Sequence, residues 1–265
     1  MEHDPLWSPV AAPQALAEPL PSRHDGRGVV ISGGTAGIGL AAARRFVAEG
    51  ARVWIMGRQT DSVARALDEV GAVGGGACDV TQELEVEAAL GDARVRLGSI
   101  DAVFVSASVP GEGRDVMSMS VEDFRRVLDV NLTGAFLVAR AAARAMTNGG
   151  AIVFHGSVNG LVAEPGRADH AASKAGVILV AKTMALDLAP RGIAVTVICP
   201  GDVRTRSTEE RLADPLIAAE RLARIPAGRL AEPDEIAGLV SFLCTPDAAY
   251  LTGSAIPVDG GRTAG

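Results

Sequence analysis

A chain of 265 residues with 48% hydrophobic content is long enough for one large α/β domain, too short for two comfortable ones, and too apolar for general disorder. Its formal net charge of −7 excludes the clustered basic surface that a nucleic-acid partner requires. The three cysteines, Cys78, Cys199 and Cys244, match no metal or disulfide spacing, so no metal site is expected and a reducing, cytoplasmic compartment fits.

Residues 1–27 carry Pro5, Pro9, Pro13, Pro19 and Pro21 and lack a basic segment followed by an apolar core. They read as a flexible or loosely docked extension, not a signal peptide, ahead of a single domain over residues 28–265. His3 and His24 in that extension carry no functional signal. No apolar run approaches the length that spans a bilayer.

From Gly28 the pattern alternates short apolar runs with helical stretches. Gly28–Ser32 is β-branched, short and followed by glycines, which predicts a buried strand. Residues 37–49 predict a helix with Ile38, Ala42, Phe46 and Val47 on one face and Gly50 at its C-terminal cap. Residues 52–56 predict a second strand, 61–70 a helix, and a third strand ends near Cys78, Asp79 and Val80. Further strands are expected at 102–106, 151–155, 193–199 and 255–258, with long helices at 121–146 and 171–188. Strands alternating with helices of this length imply βαβ crossovers. The fold class expected is therefore α/β, a Rossmann fold with a doubly wound, mainly parallel seven-stranded sheet covered by helices on both faces. Such a sheet holds its ligand beyond the carboxyl ends of the strands.

The segment Ser32-Gly33-Gly34-Thr35-Ala36-Gly37-Ile38-Gly39 sits between the first strand and the first helix. Gly33 permits the tight turn, Gly37 and Gly39 permit close approach, and the helix N-terminus offers free N–H groups to a diphosphate. With Ser32 in the threonine place, the spacing resembles the short-chain dehydrogenase/reductase family. The match runs over residues 28–262: Asn131-Leu132-Thr133-Gly134, Ser157, Lys174, Pro200-Gly201 with Thr205, Tyr250-Leu251-Thr252-Gly253 and Val258-Asp259-Gly260-Gly261 fall in the family's order.

That resemblance implies a nicotinamide cofactor held by Gly33, Thr35, Gly37, Ile38, Gly39, Asp79, Val80, Ser106, Ala107, Lys174, Pro200, Gly201, Val203 and Thr205. It implies a catalytic set of Asn131, Ser157, residue 170 and Lys174, acting on a small-molecule substrate. An acidic residue at the end of the second strand would favour NAD; here Gly57 is followed by Arg58, whose guanidinium can clamp a 2′-phosphate. NADP is the expected cofactor, with NAD as the alternative and Arg58 then stacking on adenine or facing solvent.

Two departures stand out. The family's tyrosine is His170 here, and the chain's single tyrosine is Tyr250, far along the sequence. The family's N-N-A-G segment reads Val105-Ser106-Ala107-Ser108. Imidazole is an acid or base near neutral pH, although shorter in reach than a phenol. Beside the Lys174 ammonium, the neutral imidazole is favoured, which suits proton removal. Three functions stay open: an NADP(H)-dependent oxidoreductase interconverting an alcohol and a ketone; a non-redox cyclase, dehydratase or isomerase using His170 as base; and an inactive cofactor-binding subunit in which His170 is a spacer. His155 is expected in the wall or core. Residues 204–225 resemble the family's variable lid, and Val158, Asn159, Leu161 and Val162 predict a mostly aliphatic substrate wall. The resemblance also implies a homodimer or homotetramer, or a hetero-oligomer with an active homologue, the family's two long helices pairing across a dimer interface; their Ala, Val and Leu on several faces fit that burial, as they would fit core helices of a monomer.

Overall fold

The computed structural model describes residues 18–264. The extension expected over residues 1–27 therefore falls mostly outside the described residues. Seven parallel strands make one sheet in the order β3-β2-β1-β4-β5-β6-β7. They are β1 (Gly28–Ser32), β2 (Arg52–Gly57), β3 (Gly74–Ala77), β4 (Ala102–Val105), β5 (Gly150–His155), β6 (Ile193–Pro200) and β7 (Ala255–Val258). Because side chains alternate along a strand, β1, β2 and β4 feed two separate cores. Val30, Met56 and Val105 face helices α3 (Glu83–Leu97), α5 (Ala135–Ala145) and α6 (Ala168–Leu188). Val29, Ile31, Ile55 and Phe104 face α1 (Gly37–Ala48), α2 (Thr60–Val70) and α9 (Pro233–Leu243). Burial on both faces explains why these strands read as continuous apolar runs.

Several elements depart from the sequence reading. The third strand is the glycine run of β3, and Cys78, Asp79 and Val80 form the loop after it. Glycine has no side chain to report a period; a Cβ at Gly74 would stand 2.8 Å from the Trp54 ring, so the strand exists by lying flat on its neighbour. The helix expected over 121–146 is interrupted: α4 (Val121–Leu128) passes into a π-helical segment, Asp129–Gly134, before α5. α6 begins at Ala168, ahead of the expected residue 171, which puts His170 in its first turn. Two short helices, α7 (Arg206–Arg211) and α8 (Pro215–Ala223), occupy the expected lid.

His24 also differs from expectation, because it is fully buried. Its ring lies 4.9 Å from that of Phe46, and its Nε2 is 3.1 Å from Ser241 Oγ and 3.7 Å from Glu49. Ser241 donates to the buried Glu49 carboxylate, which also accepts from Arg45 Nε at 2.6 Å. The described segment just before β1 is thus packed onto α1 and α9.

Candidate active site

The sheet reverses direction of growth between β1 and β4, the neighbours of the first strand being β2 and β4. Crossovers on either side of that point leave opposite faces and open a crevice at the strand ends. A cleft of about 1430 Å³ lies there, lined by every predicted site residue except Asn131. That volume exceeds the range usual for a drug-sized ligand, leaving room for a dinucleotide with a substrate beside it.

The first wall is the loop between β1 and α1. Gly33 has φ +69, and a Cβ there would lie 2.7 Å from Ala107 Cα, so the turn and the close approach to β4 both need glycine. A Cβ at Gly39 would lie 2.2 Å from Gly33 O, which lets α1 start directly under the loop. Ser32 is buried, and its hydroxyl accepts from the N–H groups of Ser106 (3.1 Å) and Ala107 (3.4 Å), joining the ends of β1 and β4. Ala36 at the N-cap of α1 supplies no side-chain cap, and no acidic residue stands in the first turn. The end of α1 therefore presents uncapped N–H groups and partial positive charge to the cleft, which fits a diphosphate.

At the end of β2, Gly57 packs under the loop: a Cβ would meet Thr35 Cγ2 at 2.5 Å. Any larger residue there would need the Thr35 side chain to move aside. Arg58 follows, exposed on the rim of the cleft. Asp79 also lines the cleft, its Oδ1 accepting from Thr81 N (3.0 Å) and Oγ1 (2.8 Å). The donor set of glycine loop, helix end, Arg58 and Asp79 fits an adenine dinucleotide at this end.

The other end carries the chemistry. Ser157, at the end of β5, accepts from Asn159 N at 3.1 Å, leaving its hydroxyl proton to be donated. His170 and Lys174 are four residues apart on α6 and so share one helix face. Both line the cleft. Lys174 is buried, and its Nζ donates to the His155 carbonyl at 2.7 Å. Burial brings its pKa down to about 8. His155 itself stacks on Phe104 at 5.9 Å, with its Nδ1 2.9 Å from Ser106 Oγ. Burial, then the nearby Lys174 and His170, lowers its pKa to about 3, so it is neutral. The expected wall position of His155 agrees with this placement, and its carbonyl is the anchor for Lys174.

Asn131 was expected among the catalytic groups, yet it lies off the cleft wall, almost fully buried. Its Oδ1 accepts from Val109 N at 2.8 Å, and its Nδ2 donates to Val109 O at 3.0 Å and Ser173 Oγ at 3.2 Å. Asn131 lies within the π turn Asp129–Gly134 and joins the loop after β4 to α6.

The aliphatic substrate wall is also corrected. Leu161 and Val162 are exposed and off the cleft, whereas Val158 and Asn159 line it. What encloses this end is charged. Glu164 pairs with Arg221 (2.6 Å) on α8 and with Arg262 (3.2 Å) near the C-terminus, and accepts from Asn159 Nδ2 (3.1 Å). Arg262 also donates to Asp202 at 3.0 Å. This latch ties α8 to the loops after β5 and β6. Its members are far apart in sequence, so no local pattern could have announced them.

Among the described residues, no helix is long and apolar enough to cross a membrane, and no His/Cys/Asp/Glu group could hold a metal ion. Comparison with known proteins accords with the site. A family model described as enoyl-(acyl carrier protein) reductase matches residues 33–263. The chain is 37% identical over 241 residues to the 3-oxoacyl-[acyl-carrier-protein] reductase MabA of Mycobacterium tuberculosis, covering 90% of this chain and 94% of that one. It is 38% identical over 229 residues to an inactive 2-(S)-hydroxypropyl-CoM dehydrogenase 2 of Xanthobacter autotrophicus, covering 84% of this chain and 99% of that protein. Among solved structures, a short-chain type dehydrogenase/reductase from Mycobacterium marinum superposes with a TM-score of 0.86 at 35% identity, covering 91% of this chain and 97% of that one. The chain belongs to the short-chain dehydrogenase/reductase family of nicotinamide-dependent oxidoreductases.

Proposed function

We propose that this protein is an NADP(H)-dependent oxidoreductase that interconverts an alcohol and a ketone on a small or mid-sized substrate, with His170 moving the proton. The observation that carries this reading is the convergence of Ser157, His170 and Lys174 on one end of a cleft whose other end fits a dinucleotide. A bound nicotinamide supplies the two-electron oxidation or reduction. Ser157 donates its hydroxyl proton to the substrate oxygen and orients it. His170 takes the hydroxyl proton in the oxidation direction, directly or through one water. Lys174, pinned to His155, would hold the cofactor ribose. Arg58, exposed beside Gly57, would bind the 2′-phosphate.

The protein is further proposed to work as a cytoplasmic homo-oligomer. Phe136 on α5 and Leu179 and Leu186 on α6 are exposed apolar side chains on the helices expected to pair. A second reading, a cofactor-binding subunit without chemistry, is favoured by the same His170 and by the likeness to a relative named as inactive. Nicotinamide absorbance followed with a panel of alcohols and ketones separates the two. Turnover that falls at least about tenfold in His170→Ala supports the proton role. Turnover unchanged in that variant refutes it; no turnover until His170→Tyr is introduced supports the inactive subunit.

A further inference from the structure

We infer that the substrate carries a carboxylate and that Arg167 binds it. This names the substrate class of the oxidoreductase site proposed above and rests on that reading. Arg167 is the N-cap residue of α6, one turn ahead of His170, and both line the cleft. The residue is only 9% exposed. Among the described residues its guanidinium makes no ion pair and no hydrogen bond. Its nitrogens are not sealed inside the protein, so they face the cleft, where water holds the charge until an anion takes its place.

Arg221 and Arg262 share Glu164 and Asp202, Lys174 donates to the neutral His155 carbonyl, and the buried Asp169 keeps Oδ2 without a hydrogen-bond partner among the described residues. Asp169, two residues along, is fully buried, and its Oδ1 accepts from His170 N at 2.6 Å; no carboxylate of the described residues lies within ion-pair distance of Arg167. The cofactor's phosphates do not explain Arg167, because the phosphate loop and Arg58 belong to β1 and β2, whereas α6 follows β5. A single planar guanidinium fork matches the two coplanar oxygens of a carboxylate.

The test uses the full chain saturated with cofactor. Hydroxy and keto acids are compared with their methyl esters at equal carbon count by kcat/KM. Calorimetry then compares unreactive carboxylates with their amides, which needs no turnover. The acid is expected to be preferred at least about tenfold, mainly through KM, with the preference lost in Arg167→Met and kept in part in Arg167→Lys. Equal handling of acid and ester, or a preference that survives in Arg167→Met, overturns the inference while leaving the redox reading intact. Arg167-dependent carboxylate binding without turnover keeps the inference and removes the redox reading. Neither binding nor turnover overturns both. Should Arg167→Met fail to fold by circular dichroism, Arg167→Lys decides: unchanged acid preference and unchanged KM overturn the inference.

Discussion

His170 and Arg58 are single substitutions whose effect depends on where the fold puts them. Arg58 stands at the cleft rim just after Gly57, where no carboxylate is present, so it bears on cofactor choice. Arg58→Ala is expected to lower kcat/KM for NADP by about tenfold or more and to leave NAD nearly unchanged, measured with both cofactors on one substrate. Lys174 offers a second check at this scale. Burial brings it to about 8, so its ammonium is lost as pH rises through that value. The rate constant kcat/KM should fall on the alkaline side with an inflection near pH 8, a limb absent from the residual activity of Lys174→Arg. Both residues were legible in the sequence from the loop and helix spacing. The packing of Thr35 over Gly57 was not, because it depends on how the loop folds across β2.

Elements bring a different lesson. The first loop and α1, or β5 with α6, are local units whose periodicity and glycines suffice to place Gly33, Gly39, Ser157 and Lys174. Asn131 shows where that logic stops: its motif is visible, but the π segment Asp129–Gly134 and the bonds to Val109 and Ser173 are not. The latch on α8 is a wholly tertiary device. Burial would raise the Glu164 pKa, but Arg221, Asn159 and Arg262 together hold it below the usual carboxylate value. Its charge therefore stabilises the fold above about pH 4.5 and is lost as pH drops through the lowered value. Glu164→Gln should cost about 1.5–3 kcal/mol in urea unfolding at pH 7, and the loosened lid should raise substrate KM more than it lowers kcat.

For the whole molecule, the clearest consequence is acid sensitivity. Burial, with Arg27 beside it, lowers His24 to about 4, and burial with Lys174 and His170 lowers His155 to about 3. Both start from 6.5 in the unfolded chain, so the unfolded state binds more protons between these values. Their contribution is fully present above about pH 6.5 and is lost as pH falls, by about 2 kcal/mol for each histidine at pH 5. Urea midpoints at pH 7.5 and pH 5 should differ accordingly, and His24→Gln should shrink the difference; an equal difference in that variant would remove His24 from the account. Hydropathy alternation, loop glycines and the Ser157–His170–Lys174 spacing belong to the sequence by itself, because each is set within one or two neighbouring elements. The tertiary structure alone decided that Asn131 joins the loop after β4 to α6, that His24 is core, that charges enclose the substrate end, and that Arg167 faces the cleft without an ion pair among the described residues. Those facts depend on which distant residues come within a few ångströms, and charge pairing and desolvation are properties of that proximity.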